Sequence, residues 1–404
     1  LRDVLGYSAT TGAELTKERG TLSDPWLEWR LLAALKRVNP GLSDGSARQA
    51  ILTLRQAAGP DLLESNERLH VLLSRWVSVE ESASLPGQPP MRRSVRFFDF
   101  ETVSNNEFLV TEEFVVKGPQ RERRFDLVIH VNGLPLVVIE CKDPADPHAI
   151  EKGVGDLLAY QRAETGAPRL FETIHFCLAL NRHDARYGTV ATELRHFARW
   201  KSLRPFTEES LTAALGRTPT PQDETLASLC EPAQLLDFLR GFVAFERRGG
   251  RLVKKLARYQ QWEAVIDAAE RVSDRGRGPL KQRGGVIWHT QGSGKSLTML
   301  WLALRLRRSP ELENPGLVIV TDRSDLDRQI ATTFRNCGFE NPVTAASVRH
   351  LGQLLDNAEG QTLLTTIQKF EEDLTREGLH RIKVPMHRGG NVIVLIDEAH
   401  RTEY

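Results

Sequence analysis

The sequence predicts an α/β protein of two domains: helices leading into a mainly antiparallel sheet, then a parallel sheet built around a phosphate-binding loop. Three observations predict it. Strand-like runs between residues 94 and 142 follow one another with only short breaks, as antiparallel strands do. From about residue 256, short apolar runs alternate instead with helical segments, the pattern of parallel strands covered on both faces. Between one such run and a helix stands His289-Thr290-Gln291-Gly292-Ser293-Gly294-Lys295-Ser296.

Composition bounds the reading. With 404 residues the chain has room for two or three domains, and 40% apolar with 26% charged residues is ordinary for a soluble globular protein. The 54 basic and 53 acidic residues cancel to +1, so contact with nucleic acid would need clustered basic side chains. The four cysteines form no Cys-x-x-Cys pair, which argues against a zinc site or disulfide framework and fits a reducing cytoplasm. No apolar run approaches the ~18–20 residues needed to span a bilayer, so no membrane partner is expected. The missing initiator methionine and the stop at Tyr404 predict a piece of a longer polypeptide.

Taken in order, residues 24–38 read as a helix capped by Asp24, with Pro25 in its first turn and Leu27, Leu31 and Leu35 on one face. Further helices are expected near 46–58 and 61–78, and a loop at Leu85–Pro90. Strands follow around 94–100, 107–116, 124–131 and 135–142, then a helix near 149–164 and a strand at 171–180. These make a first domain over 1–200. Residues 201–255 read as a helical linker, and 256–404 as the second domain, with strands at 285–290, 317–321, 362–366 and 392–396.

The glycines of the loop let its backbone N–H groups turn onto phosphate oxygens, and the following helix adds partial positive charge. Gly292, Ser293 and Gly294 would form the cradle. Lys295 would reach the β- and γ-phosphates of ATP, and Ser296 would offer its hydroxyl to Mg²⁺. At the end of the last strand, Asp397 would hold Mg²⁺ through water while Glu398 orients the attacking water. A glycine–serine turn before an ordinary helix is the plain alternative for the loop alone.

A second constellation lies upstream. Residues 125–142 read as a hairpin around Asn132-Gly133. Side chains alternate along a strand, so Glu140 and Lys142 share a face and Cys141 points away. A two-residue turn would set Asp126 opposite Ile139, on the wrong face. A three-residue loop, or an equivalent bulge, sets it opposite Glu140, and that is the expectation. Asp126 and Glu140 would then hold a hard divalent cation, with Lys142 positioning a water or neutralising developing charge. Arg121, Arg123 and Arg124 lie nearby in sequence for a phosphate backbone. Charged strand ends without catalytic role are the alternative.

These residues carry resemblances. Asp397-Glu398-Ala399-His400 is similar to the second motif of superfamily 2 helicases and translocases, which implies a RecA-like first lobe. In that lobe Gln261, in Arg258-Tyr259-Gln260-Gln261, would read adenine. Val320-Thr321-Asp322-Arg323 and Thr365-Thr366-Ile367-Gln368-Lys369-Phe370 resemble its nucleic-acid grips, giving Arg323, Thr366, Gln368 and Lys369 as contacts. The segments Asn132–Pro144 and Trp288–Met299 closely resemble the nuclease motif and ATP loop of the restriction (motor) subunit of type I restriction–modification enzymes.

That resemblance runs from about residue 24 to 404. It implies a PD-(D/E)xK endonuclease domain followed by a two-lobed translocase, working with methyltransferase and specificity subunits on unmethylated double-stranded DNA. It also adds Glu28 as an acidic candidate for the metal site, and Tyr160 from a Gln-x-x-x-Tyr element that contacts DNA. Here Asp156 stands where the glutamine would be, with Gln161 as a partial substitute. Two other functions compete: a helicase whose N-terminal domain only binds DNA, and a P-loop protein using ATP as an assembly switch. Because the chain stops before a second lobe, weak ATP turnover by this piece alone is expected.

Overall fold

Capping residues place two of the helices that precede the long strands. In the computed structural model, Ser43 accepts a hydrogen bond from the Ser46 N–H and Asp61 one from the Glu64 N–H. They start helices α2 (Asp44–Ala57) and α3 (Leu62–Ser74). Helix α1 (Glu28–Val38) precedes them and buries Leu31, Ala34, Leu35 and Val38. Its start differs from the expected one. Asp24 turns its carboxylate onto the Trp26 N–H at 3.1 Å, a local turn that uses up the cap, so the helix begins four residues later at Glu28.

The structure describes residues 1–81, 91–279, 282–290, 292–321, 330–332, 334, 342–356, 358, 360–367 and 391–397. They fall into two units, Leu1–Val243 with Arg248–Leu256, and Ala244–Arg247 with Ala257–Tyr404. No helix among the described residues is long and apolar enough to cross a membrane.

The first unit is built on a six-stranded mixed sheet, β1 (Ser8–Thr11), β2 (Phe108–Lys117), β3 (Glu122–Val131), β4 (Leu134–Cys141), β5 (Phe176–Leu180) and β6 (Ala185–Gly188), in that spatial order. The β2–β3, β3–β4 and β5–β6 pairs are antiparallel; β1–β2 and β4–β5 are parallel. The parallel β4–β5 pair requires a crossover, which helix α4 (Ala149–Tyr160) supplies. Phe114, Phe125, Val128, Val138, Val154, Leu157 and Phe171 pack into one core between sheet and helix.

Residues 205–243 pack within this unit. The Tyr7 hydroxyl donates to the Cys230 carbonyl at 2.7 Å, Trp200 Nε1 to Ser228 Oγ at 2.8 Å, and the Phe176 and Phe238 rings lie 4.9 Å apart.

The second unit carries a four-stranded, all-parallel sheet of β7 (Gly316–Thr321), β8 (Val343–Thr344), β9 (Thr362–Thr366) and β10 (Val392–Ile396), in the order β8-β9-β7-β10. Helices α5 (Tyr259–Ser273) and α6 (Lys295–Arg308) precede it. Three of the expected strands form. The run 285–290 does not: it is irregular, with Val286 and Trp288 88% and 89% exposed. High β-propensity describes a side chain suited to a half-buried pleat, and without a paired neighbour it does not make a strand.

Candidate active sites

The upstream site depends on how β3 and β4 are joined. Asn132 and Gly133 are both left-handed, with φ of 52° and 82°, so the turn is a tight two-residue one. Asn132 locks it. Its amide donates to the Phe97 carbonyl and Asn106 Oδ1, both at 2.9 Å, and its Oδ1 accepts from the Glu107 N–H at 2.8 Å. Val131 therefore pairs with Leu134 and His130 with Pro135, but Ile129 pairs with Val137. Leu136 is the extra residue of a β-bulge. Beyond it Leu127 faces Ile139, and the same register continued by one step sets Asp126 opposite Glu140. The expected register is thus reached by the bulge, not by a three-residue loop.

At the end of β4 the side chains converge. Asp126 Oδ2 accepts from the Cys141 N–H at 2.8 Å, and Lys142 Nζ donates to Glu140 Oε2 at 2.9 Å. Lys142 also pairs with Asp156 Oδ2 at 2.8 Å. Glu140 is 1% exposed, and its other oxygen, Oε1, is buried without a hydrogen-bond partner. Burial pushes the Glu140 carboxyl up to about 7, and the negative charge of Asp126 adds to this against the pull of Lys142. Burial alone would lower the Lys142 ammonium, but Asp156 and Glu140 hold it above its ordinary range.

An orphaned oxygen on an otherwise enclosed carboxylate suits a hard cation. Among the described residues no group of three or more His, Cys, Asp or Glu side chains is arranged to hold a metal. Asp126 and Glu140 would therefore share any cation with water.

The other candidates around this site have partners of their own. Glu28 pairs with Arg55 at 2.8 Å, beside Asp24 on the same guanidinium at 2.6 Å. Tyr160 lies edge-on to Phe125 with ring centroids 4.8 Å apart, and the Arg123 guanidinium sits 5.8 Å from its centroid. Burial pushes the Tyr160 hydroxyl up to about 12. Arg123 also donates to the Thr165 carbonyl at 3.0 Å, and Arg124 pairs with Glu113 at 3.2 Å. Gln161 Oε1 accepts from the Ala191 N–H. The Asp156–Lys142 pair was not anticipated; in sequence Asp156 registers only as a missing glutamine.

In the second unit Gly292 and Gly294 are both left-handed, at φ 78° and 89°, and Gly294 is the N-cap of α6. Lys295 and Ser296 thus occupy the helix's first turn, where backbone N–H groups and the helix dipole would favour an anion. Ser293 Oγ donates to the Thr290 carbonyl at 2.7 Å and lies 3.3 Å from His289 Nδ1. Gln261 is buried and reaches the loop from α5. Its Nε2 donates to the Ser293 and Gly294 carbonyls at 3.1 and 3.2 Å, and its Oε1 accepts from the Arg258 N–H at 2.9 Å.

Asp397 follows β10, its N–H donating to the Val320 carbonyl at 2.8 Å. Thr366 ends β9 opposite Thr321 and is buried. Glu398, Arg323, Gln368 and Lys369 lie outside the described residues.

By class, then, this is a mixed α/β protein with a parallel-rich sheet, a glycine-rich loop at a helix start, and a carboxylate–lysine cluster on a separate sheet. Residues 1–196 match the family described as the type I restriction enzyme R protein N terminus, and residues 260–404 match the SWI2/SNF2 ATPase family. The type I restriction enzyme HindI endonuclease subunit of Haemophilus influenzae is 34% identical over 96% of this chain and 36% of its own length. A putative type I restriction enzyme endonuclease subunit of Methanocaldococcus jannaschii, MjaIXP, is 28% identical over 99% of this chain and 39% of its own. The chain belongs to the family of type I restriction enzyme endonuclease (R) subunits. It spans over a third of the length of these two relatives.

Proposed function

We propose that this chain carries the DNA-cutting site and the ATP-binding lobe of a type I restriction endonuclease subunit. The first unit is a PD-(D/E)xK-type nuclease and the second a RecA-like lobe of an ATP-dependent translocase. One observation carries the reading: a bulge at Leu136 turns Asp126 toward Glu140, which keeps one buried oxygen open beside Lys142. In this reading Asp126 and Glu140 hold Mg²⁺, which polarises the scissile phosphate and makes water a better nucleophile. Lys142 keeps its positive charge and steadies the charge that builds on the phosphate.

At the other site the loop N–H groups and Lys295 hold the ATP phosphates, Ser296 and Asp397 the magnesium, and Glu398 the attacking water. Gln261 serves the adenine and, through its bonds to Ser293 and Gly294, the shape of the loop. Arg323, Thr366, Gln368, Lys369 and Tyr160 are the proposed DNA contacts. The partners are double-stranded DNA and the methyltransferase and specificity subunits, in the cytoplasm, with cutting of unmethylated foreign DNA away from the recognition site.

The second reading, a helicase whose first unit only binds DNA, draws on the lack of a three-residue metal cluster among the described residues. Glu140→Ala separates the two. In the intact complex, DNA cutting should fall by at least about a hundredfold while ATP turnover stays at the wild-type rate. Undiminished cutting by that variant would leave only the DNA-binding reading.

A further inference from the structure

The geometry points to Asp156 as a positioning residue that holds the Lys142 ammonium beside Glu140 and makes entry of a DNA phosphate conditional on a bound divalent cation. This rests on the nuclease reading above. Helix α4 approaches β4 closely because Gly153 has no side chain: a Cβ there would come within 3.2 Å of Ala179 Cβ and 3.4 Å of Lys142 Cγ. Asp156, three residues on, projects from the same side of the helix. Lys142 Nζ then lies between Asp156 Oδ2 at 2.8 Å and Glu140 Oε2 at 2.9 Å.

Charge decides what this arrangement does. Glu140 and Asp156 flank a single ammonium and Asp126 adds its negative charge beside Glu140, so the site without a cation is net negative and repels a phosphate. The buried, unpartnered Glu140 Oε1 is the independent sign that a ligand belongs here. The Asp156 carboxylate is engaged by the Lys142 ammonium rather than turned to Glu140 Oε1. It acts through Lys142, and its half-exposed carboxylate adds long-range attraction for a cation. An amide at 156 could still accept a hydrogen bond from the ammonium but would remove that charge.

The test uses the full chain without nucleotide. Mn²⁺ binding is measured by calorimetry, and binding of a short labelled duplex by anisotropy, in chelator and with Ca²⁺. Asp156→Asn should weaken Mn²⁺ binding roughly fivefold and tighten duplex binding in chelator by a similar factor, the effect of one unit charge near a partly solvated site. Ca²⁺ should close the duplex difference, and Asp156→Glu should behave as wild type. The second unit is identical in every variant, so its own DNA binding cancels. If Asp156→Asn binds both ligands as wild type does while Glu140→Ala loses Mn²⁺, the role of Asp156 is wrong and the nuclease reading stands. If Glu140→Ala keeps wild-type Mn²⁺ affinity, the nuclease reading falls, and this inference with it.

Discussion

Lys254 shows how a single buried charge ties stability to pH. Its Nζ donates to the Ile174 carbonyl at 2.9 Å and lies 3.3 Å from His175 Nδ1, so the strand Arg251–Leu256 is fastened at the start of β5. Burial pushes this lysine down to about 7 from an ordinary value of 10.5. Between those values the unfolded chain carries a proton that the folded chain does not. Folding is therefore favoured increasingly as pH rises through the window, and is least favoured below about 7. Cys177, Cys230 and Cys141, pushed up by burial, act in the opposite sense only above their ordinary 9. The Glu140 and Glu172 carboxyls, pushed up to about 7, act mainly below that value, so the lysine dominates the slope between pH 7 and 9. Thermal melts of Lys254→Met across that range should show a flatter rise in Tm than wild type. Equal slopes would mean the lysine does not titrate as its burial implies.

Among elements, the β3–β4 hairpin shows what was legible and what was not. Parity alone required that Asp126 be shifted by one residue to meet Glu140. Asn-Gly alone required a turn. The two demands conflict in a regular hairpin, and the structure satisfies both by moving the irregularity into the strand at Leu136. Sequence could state the conflict but not choose the residue that resolves it, because Leu136 is one of several apolar neighbours. Strand β1 was missed because Ser8–Thr11 is short, polar and largely exposed, with no alternation to read. The partnership of Lys142 with Asp156 was missed because it depends on how closely α4 sits on the sheet, which Gly153 sets.

The hairpin also places α1. Gly133 accepts from the Leu27 N–H at 2.9 Å, and a Cβ on Gly133 would come within 2.6 Å of the Leu27 carbonyl oxygen and 2.9 Å of the Leu31 nitrogen. Backbone cannot yield as a flexible side chain can, and φ is positive as well. Gly133→Ala should therefore cost about 2–4 kcal/mol in urea unfolding of the first unit. A loss under about 0.5 kcal/mol would show that the turn and helix are not held together as described.

At the scale of the whole chain, the two sites belong to different units, each with its own sheet and its own buried cluster. Asp126, Glu140 and Lys142 rest on β3 and β4, while Lys295 and Ser296 rest on the first turn of α6. Neither set shares a strand, a helix or a hydrogen bond described for the other, so removing one charge should not deform the other site. Function nevertheless joins them if cutting follows ATP-driven movement of DNA. The two properties together make an asymmetric expectation for the intact complex. Lys295→Ala should abolish ATP turnover, and with it cutting, while Mn²⁺ binding at the Asp126–Glu140 site stays at the wild-type level. Asp126→Ala should abolish cutting and leave DNA-stimulated ATP turnover within about twofold of wild type. Loss of ATP turnover in the Asp126 variant would show that the two sites share a structural element. Cutting that survived in the Lys295 variant would show instead that the nuclease does not wait for the motor.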